Sequence, residues 1–312
     1  MPQKTMEDKA HFYHCATKGF AHSILFADIR EFIAGMNRIG ICIARGQGEF
    51  PVILIAFCLM DNHIHVILYG RRCDCLKWMA LYHRLTMIWQ RKHRQSDPVD
   101  EEWDYDAWLI RDEEDLKKKI AYVFRNPTVA GMPFLPLGYR WSSAGLAFSD
   151  PTESLANGTP VGGLSIYESR RRFDSRVILP EDWILLPSGL IWPGSYTDYK
   201  RVERLFGHPW NFLYYLNQRV EADVNLEMMQ GRVSLPDYDI LRIAQTIALE
   251  RFASRDLYSL DIPSRVRLCA DLKKKTGASR KQLARILHLQ VDDLEELFGR
   301  GGYSKSSRSM KT

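Results

Sequence analysis

Hydrophobic and polar positions alternate along the first 130 residues with two periods, and each change of period marks a new element. Residues 11–17 (His-Phe-Tyr-His-Cys-Ala-Thr) read as a first strand. Asp28 is placed to N-cap a helix over about 29–38, with Ile29, Phe32, Ile33 and Met36 on one face. Val52 to Cys58 is an unbroken β-branched and aromatic run, the signature of a strand buried on both faces. A short connection at Met60-Asp61-Asn62 leads to a further strand from His63 to about Tyr69. Residues 74–93 carry a helical pattern, 95–106 a polar and acidic loop, and Ala107 to Ile110 a short strand. The next helix opens on Asp112, Glu113, Glu114 and Asp115, as the helix dipole favours, and is expected to stop at Asn126 before Pro127.

The order β-α-β-β-α-β-α predicts an α+β fold of ferredoxin-like type, an antiparallel sheet with helices on one side. Near 150–163 the composition turns to Ser, Asp, Pro, Asn and Gly, which reads as a linker or long loop closing a domain at about residue 150. Beyond it the pattern is mostly helical, over 196–230 and 236–300. This divides the rest into a region of unassigned role (151–235), a helical module (236–300) and a basic tail (301–312) expected to be disordered. There is no internal repeat.

A chain of 312 residues that is 46% hydrophobic and 12% aromatic can bury a substantial core. No run approaches the roughly 20 apolar residues of a membrane span, and the polar N-terminus argues against a signal peptide. Six cysteines without a CxxC pair point to reduced thiols and a cytoplasmic location. Cys73-Asp-Cys75 is too closely spaced for a zinc knuckle. The net charge of +5 is unevenly spread: residues 262–312 hold 12 Lys/Arg against 5 Asp/Glu, and the remainder is close to neutral. A basic C-terminal segment suits phosphate contact, and equally a solvated face with a loose tail.

The histidine strand carries the chemistry. Alternation puts His63 and His65 on one face, about 7 Å apart along the strand, where two imidazoles can converge on one divalent cation. On the helix ending at Asn126, Leu116, Ile120, Val123 and Phe124 form the core stripe, while Tyr122 and Asn126 sit together at its flank, i and i+4. If that flank faces the histidine strand, two imidazoles and an amide oxygen are plausible ligands for Mg²⁺ or Mn²⁺, with nitrogen leaning towards manganese or zinc. The phenol would then be a nucleophile beside a polarised phosphate. Each residue also has a plainer reading: a core histidine, a boundary tyrosine, a helix-terminal asparagine, and for Arg140-Trp141 a surface arginine stacked on an indole.

His63-Ile64-His65 resembles the His-hydrophobe-His signature of HUH single-strand endonucleases. Tyr122…Asn126-Pro127-Thr128-Val129-Ala130-Gly131, followed by Tyr139-Arg140-Trp141-Ser142-Ser143-Ala144, is similar to the signature of REP-associated tyrosine transposases. The resemblance covers roughly residues 8–148. It implies a nuclease fold and a single-tyrosine mechanism, with His63, His65 and Asn126 as metal ligands and Tyr122 as the nucleophile. The tyrosine would attack single-stranded or hairpin DNA, giving a 5′-phosphotyrosine intermediate and a free 3′-hydroxyl that permits rejoining without ATP. Arg125, Arg140, Trp141, Arg84 and Arg91 are candidate DNA contacts, with Lys92, Arg94 and Lys117–Lys119 as weaker ones. Related transposases work as dimers, so a second copy of the chain is a candidate partner. The alternatives are a non-catalytic DNA-binding regulator derived from such a transposase and a hydrolase using the two histidines with another base.

In the C-terminal part, Ser279-Arg-Lys-Gln282 has capping-box form and opens a helix bearing Leu283, Ile286 and Leu287. A turn at His288-Leu289-Gln290 leads to Val291–Phe298, a helix-turn-helix pattern often appended to longer members of the family. Its second helix carries Asp292, Asp293, Glu295 and Glu296, which disfavours insertion into a major groove. A structural cap or a partner-binding module is the alternative.

Overall fold

The strand readings and the backbone agree closely. The computed structural model describes residues 9–17, 24–94, 104–130, 132, 135–218, 235, 237–254, 256–290 and 294. Strands β1 (His11–Thr17), β2 (Ile53–Met60), β3 (His63–Gly70) and β4 (Tyr105–Leu109) form an antiparallel sheet in the order β2-β3-β1-β4. Strand β2, apolar along its whole length, lies at one edge of the sheet beside β3, where Ile64, Val66, Ile67 and Leu68 are all buried.

Helices α1 (Ile29–Glu49), α2 (Arg72–His93) and α3 (Glu113–Val129) connect or follow these strands. They do not share one side of the sheet, as the ferredoxin-like expectation held. Residues paired across an antiparallel ladder share a face, so register assigns every side chain. Leu59 pairs with Ile64 and Cys15 with Val66, which places these four on one face. On that face Cys15 hydrogen-bonds Cys75 of α2, and Leu59 packs 3.1 Å from where a Cβ on Gly35 of α1 would stand. Cys58 pairs with His65, and His14 lies beside the ring of Tyr122, so α3 covers the opposite face. The strands buried on both faces required helices on both; the element order alone left the side of α3 open.

Strand β4 starts two residues earlier than expected, inside the stretch read as loop, and two helices run past their expected ends. The α1 helix continues eleven residues past 38, burying Ile39, Ile41, Cys42 and Ile43. Gly35 and Gly40, which weaken the helical pattern, are points of close approach: a Cβ at Gly40 would meet Tyr196 Cδ1 at 2.9 Å, and one at Gly35 would meet Phe26 Cε1 at 2.6 Å. The α3 helix runs three residues past Asn126, with Pro127 inside it. A proline at position 127 has no N–H for the carbonyl of Val123. Asn126 Nδ2 supplies a donor there instead, at 3.3 Å, and also reaches the carbonyl of Tyr122 at 3.0 Å.

The composition change near 150 marks no boundary in the packing. Residues 151–218 hold α4 (Thr152–Leu155), β5 (Thr159–Pro160), α5 (Ile166–Phe173), β6 (Ile184–Leu185), α6 (Tyr199–Phe206) and α7 (Pro209–Asn217). Phe173, Trp183, Ile191, Tyr196, Val202 and Phe212 join the same hydrophobic core as the sheet. Asn37 of α1 donates to Gly189 O at 2.9 Å and accepts from Ile191 N at 2.8 Å, and Tyr196 Oη donates to Met36 O. The outer edge of β2 is bridged by main chain on both sides of its register shift, Leu54 to Thr197 and Cys58 to Ser142. The first compact unit therefore extends to Tyr238.

A second unit begins at Asp239 and contains most of α8 (Asp237–Phe252), with α9 (Ile262–Thr276) and α10 (Arg280–Leu287). Leu268, Cys269 and Leu272 of α9 are buried, as are Leu283, Ile286 and Leu287 of α10. The expected capping box is formed: Ser279 accepts from Gln282 N and the Gln282 side chain accepts from Ser279 N. His288 ends α10 in the left-handed region at φ 49°. The acidic segment 291–298 lies, apart from Leu294, outside the described residues, as does the 301–312 tail. Among the described residues no helix is long and apolar enough to cross a membrane.

Candidate metal and tyrosine site

The face of the sheet under α3 gathers the residues singled out from sequence. The rings of His63 and His65 are 4.8 Å apart and nearly perpendicular. The Tyr122 ring stands edge-on to His65 with centroids 5.6 Å apart, and the Asn126 carboxamide neighbours His65 closely enough to act on its charge. All four side chains thus meet in one cluster.

Local hydrogen bonding fixes how each group is presented. His63 Nδ1 lies 2.8 Å from Asn62 Oδ1. An amide oxygen only accepts, so Nδ1 carries the proton and Nε2 the lone pair. His65 is buried, and that desolvation holds its imidazole well below the ordinary histidine range, with His63 and His14 adding to the effect. A neutral imidazole is the form that ligates a metal. Asn126 directs both amide protons back to helix carbonyls, which turns Oδ1 away from the backbone. The groups on offer are two imidazoles and one amide oxygen, a set of types that fits a borderline or hard divalent cation. Among the described residues no group of three or more His, Cys, Asp or Glu side chains is arranged to hold a metal ion. A metal here depends on the Asn126 amide and on ligands brought by a substrate.

His14, which the sequence reading passed over, is a central member of the cluster. Its Nε2 is 3.0 Å from His65 Nδ1, the two rings stack at 5.2 Å, and the Tyr122 ring meets it edge-on at 5.7 Å. Burial, with a smaller contribution from Lys119, pushes its imidazole down to about 4. A signal was available: strand alternation puts His14 on the same face as Phe12 and Ala16, and Ala16 pairs with His65. It was lost because pairing between β1 and β3 joins residues 51 positions apart. Trp108 on β4 pairs with His14 and is 49% exposed, so an indole lies open to solvent beside the cluster.

The candidate DNA contacts divide. Lys117 and Lys118 are held by Glu113 and Glu114 one turn away, whereas the Lys119 ammonium sits 5.8 Å over the Tyr122 ring. Arg125 donates to the carbonyl of Gln218 beyond α7. Arg140 is exposed and stacks 4.4 Å over Trp141. Trp141 itself is 2% exposed and stacked on Phe32, so it is a core residue and not a base-stacking surface. Arg84 and Arg91 are exposed on α2, across the sheet from Tyr122. Arg94 is paired with Glu31, and Lys92 with Asp174. The structure brings His14, His63, His65, Lys119, Tyr122 and Asn126 together, and leaves Arg84, Arg91 and Trp141 elsewhere. No family model, curated protein or solved structure matches the chain.

Proposed function

We propose that the chain is a metal-dependent DNA strand-transfer nuclease that cuts and rejoins single-stranded or hairpin DNA through Tyr122. The observation carrying this reading is that Tyr122 stands against His65 while Asn126, one turn along the same helix, is near enough to act on that histidine. Nucleophile and ligands are thus set by two packed elements, β3 and α3, whose positions do not depend on a loop.

His63, His65 and Asn126 would hold Mg²⁺ or Mn²⁺, which when bound polarises the scissile phosphate and offsets its developing charge. Tyr122 Oη attacks phosphorus, forming a phosphotyrosine bond as the bond from phosphorus to O3′ breaks. The phenolic proton is lost to solvent and O3′ leaves as a hydroxyl. The fragment 3′ of the cut stays attached through its 5′-phosphate, and attack by another 3′-hydroxyl reverses the step with no external energy source. Lys119, beside the phenol, supplies a cation at the attacking end.

The test uses hairpin oligonucleotides carrying the repeats that flank the chain's own coding sequence, labelled at either end, with Mn²⁺ or Mg²⁺. A denaturing protein gel should show a metal-dependent adduct on the fragment 3′ of the cut, abolished by Tyr122→Phe and by EDTA. Hairpin binding should survive Tyr122→Phe. Tight binding by the wild type with no adduct in either metal would leave a DNA-binding regulator.

A further inference from the structure

On the same sheet face as Tyr122, a cavity of about 480 Å³ opens between the N-terminal end of α3, the start of β1 and α6. Its volume lies within the range of small-molecule pockets. Phe12 and Tyr69, paired across β1 and β3 with ring centroids 4.8 Å apart, form an aromatic floor. Ile110 and Leu116 give an apolar wall. The Arg201 guanidinium lies over both rings, 5.8 Å from Phe12 and 5.2 Å from Tyr69. Arg111, exposed at the mouth, has no ion pair among the described residues, and Asp112 and Glu113 complete a polar rim.

An aromatic floor, an aliphatic wall and a rim of mixed donors and acceptors suit a flat heteroaromatic ring with a polar edge. Unpaired nucleobases stack on aromatic rings and guanidinium planes in this way, and carboxylates and arginines address their edges. The position favours a base belonging to the strand being cut. Phe12 is two residues from His14 along β1, about 7 Å. Leu116 is six residues from Tyr122 along α3, about 9 Å. Exposed Trp108 lies beside His14 on the neighbouring strand β4, and further along β4's end Ile110 N hydrogen-bonds Phe12 O. The cavity and the tyrosine therefore lie under one sheet face, separated by a short length of strand and helix.

We infer that this cavity is a base-binding pocket holding one unpaired nucleobase of the DNA strand that flanks the scissile phosphate. The inference rests on the proposed function and names a subsite for it. Stacking there anchors the strand so that the phosphate a short distance away is presented to Tyr122.

The experiment walks 2-aminopurine along the single-stranded flank of the hairpin oligonucleotides, using full-length protein and reading fluorescence and affinity. One flank position should be quenched on binding to wild-type protein. That quench should be lost in Arg201→Gln and in Tyr69→Leu, with affinity for the oligonucleotide falling about tenfold. Circular dichroism melting checks both folds, and Arg201→Gln, altering a partly exposed side chain, reads the pocket should Tyr69→Leu fail to fold. A quench profile unchanged in the variants, or no quenched position on DNA that is bound and forms the adduct, overturns the pocket and leaves the nuclease standing. Wild-type protein that neither binds the oligonucleotides nor forms an adduct overturns both.

Discussion

Asn126 performs two tasks with one carboxamide. Its nitrogen satisfies carbonyls of its own helix, and its oxygen is thereby turned off the backbone beside His65. His14 lies on the Nδ1 side of His65, where the 3.0 Å contact between the two rings holds the imidazole in place. Groups of this kind behind a ligand typically change metal affinity by about tenfold to a hundredfold. His14→Ala is accordingly expected to weaken Mn²⁺ binding, measured by calorimetry without DNA, by at least about tenfold, and His14→Gln to restore part of it. Unchanged affinity in His14→Ala would make this histidine a packing residue. His63, His65, Tyr122 and Asn126 were legible in the sequence because each pair is local, two residues apart on a strand or four on a helix. His14 and Lys119 were harder to place because their neighbours come from pairing and packing between distant segments.

At the scale of elements, the clearest departure is α3, which passes through Pro127 where the sequence pattern ended it. Proline in a helix interior removes a donor and crowds the preceding turn. Here the loss falls on Val123 O, and the neighbouring asparagine covers it. The Asn-Pro pair thus makes sense as a unit: the proline creates the acceptor that holds the asparagine. Pro127→Ala should restore the backbone donor, raise the melting temperature or leave it unchanged, and loosen Asn126 enough to weaken Mn²⁺ binding. Lower stability together with unaltered metal affinity would contradict this. The strands were read almost to the residue because alternation and buried apolar runs have few competing interpretations. Helix α1 continues past the end the pattern suggested, through Gly40, whose missing side chain is explained only by the distant Tyr196 packed against it.

On the scale of the whole molecule, the polar stretch near 150 suggested a nuclease domain that ends there. The core instead continues through Trp183, Ile191, Tyr196 and Phe212 into the first unit, tied to α1 by the paired hydrogen bonds of Asn37. Composition reported the solvent exposure of a loop, which says nothing about whether the chain returns to the same core. A fragment of residues 1–150 should therefore fold poorly although it contains Tyr122 and all three site histidines. Size-exclusion chromatography and melting of that fragment against one ending at 238 check this: the longer should be monodisperse, the shorter not.

The form of that failure follows from the bridges along β2. In the intact protein, Asp198 N donates to Leu54 O and Leu59 N to Trp141 O, so the outer rim of the most hydrophobic strand is occupied by the chain's own later segments. Cutting at 150 removes the first of these and keeps the second. Half of the rim would then offer unmatched peptide groups flanked by Ile53, Leu54 and Ile55, a template on which another copy of the strand can grow. Residues 196–198 thus serve as a gatekeeper against self-association, and their loss should show as thioflavin-positive assemblies rather than as amorphous precipitate.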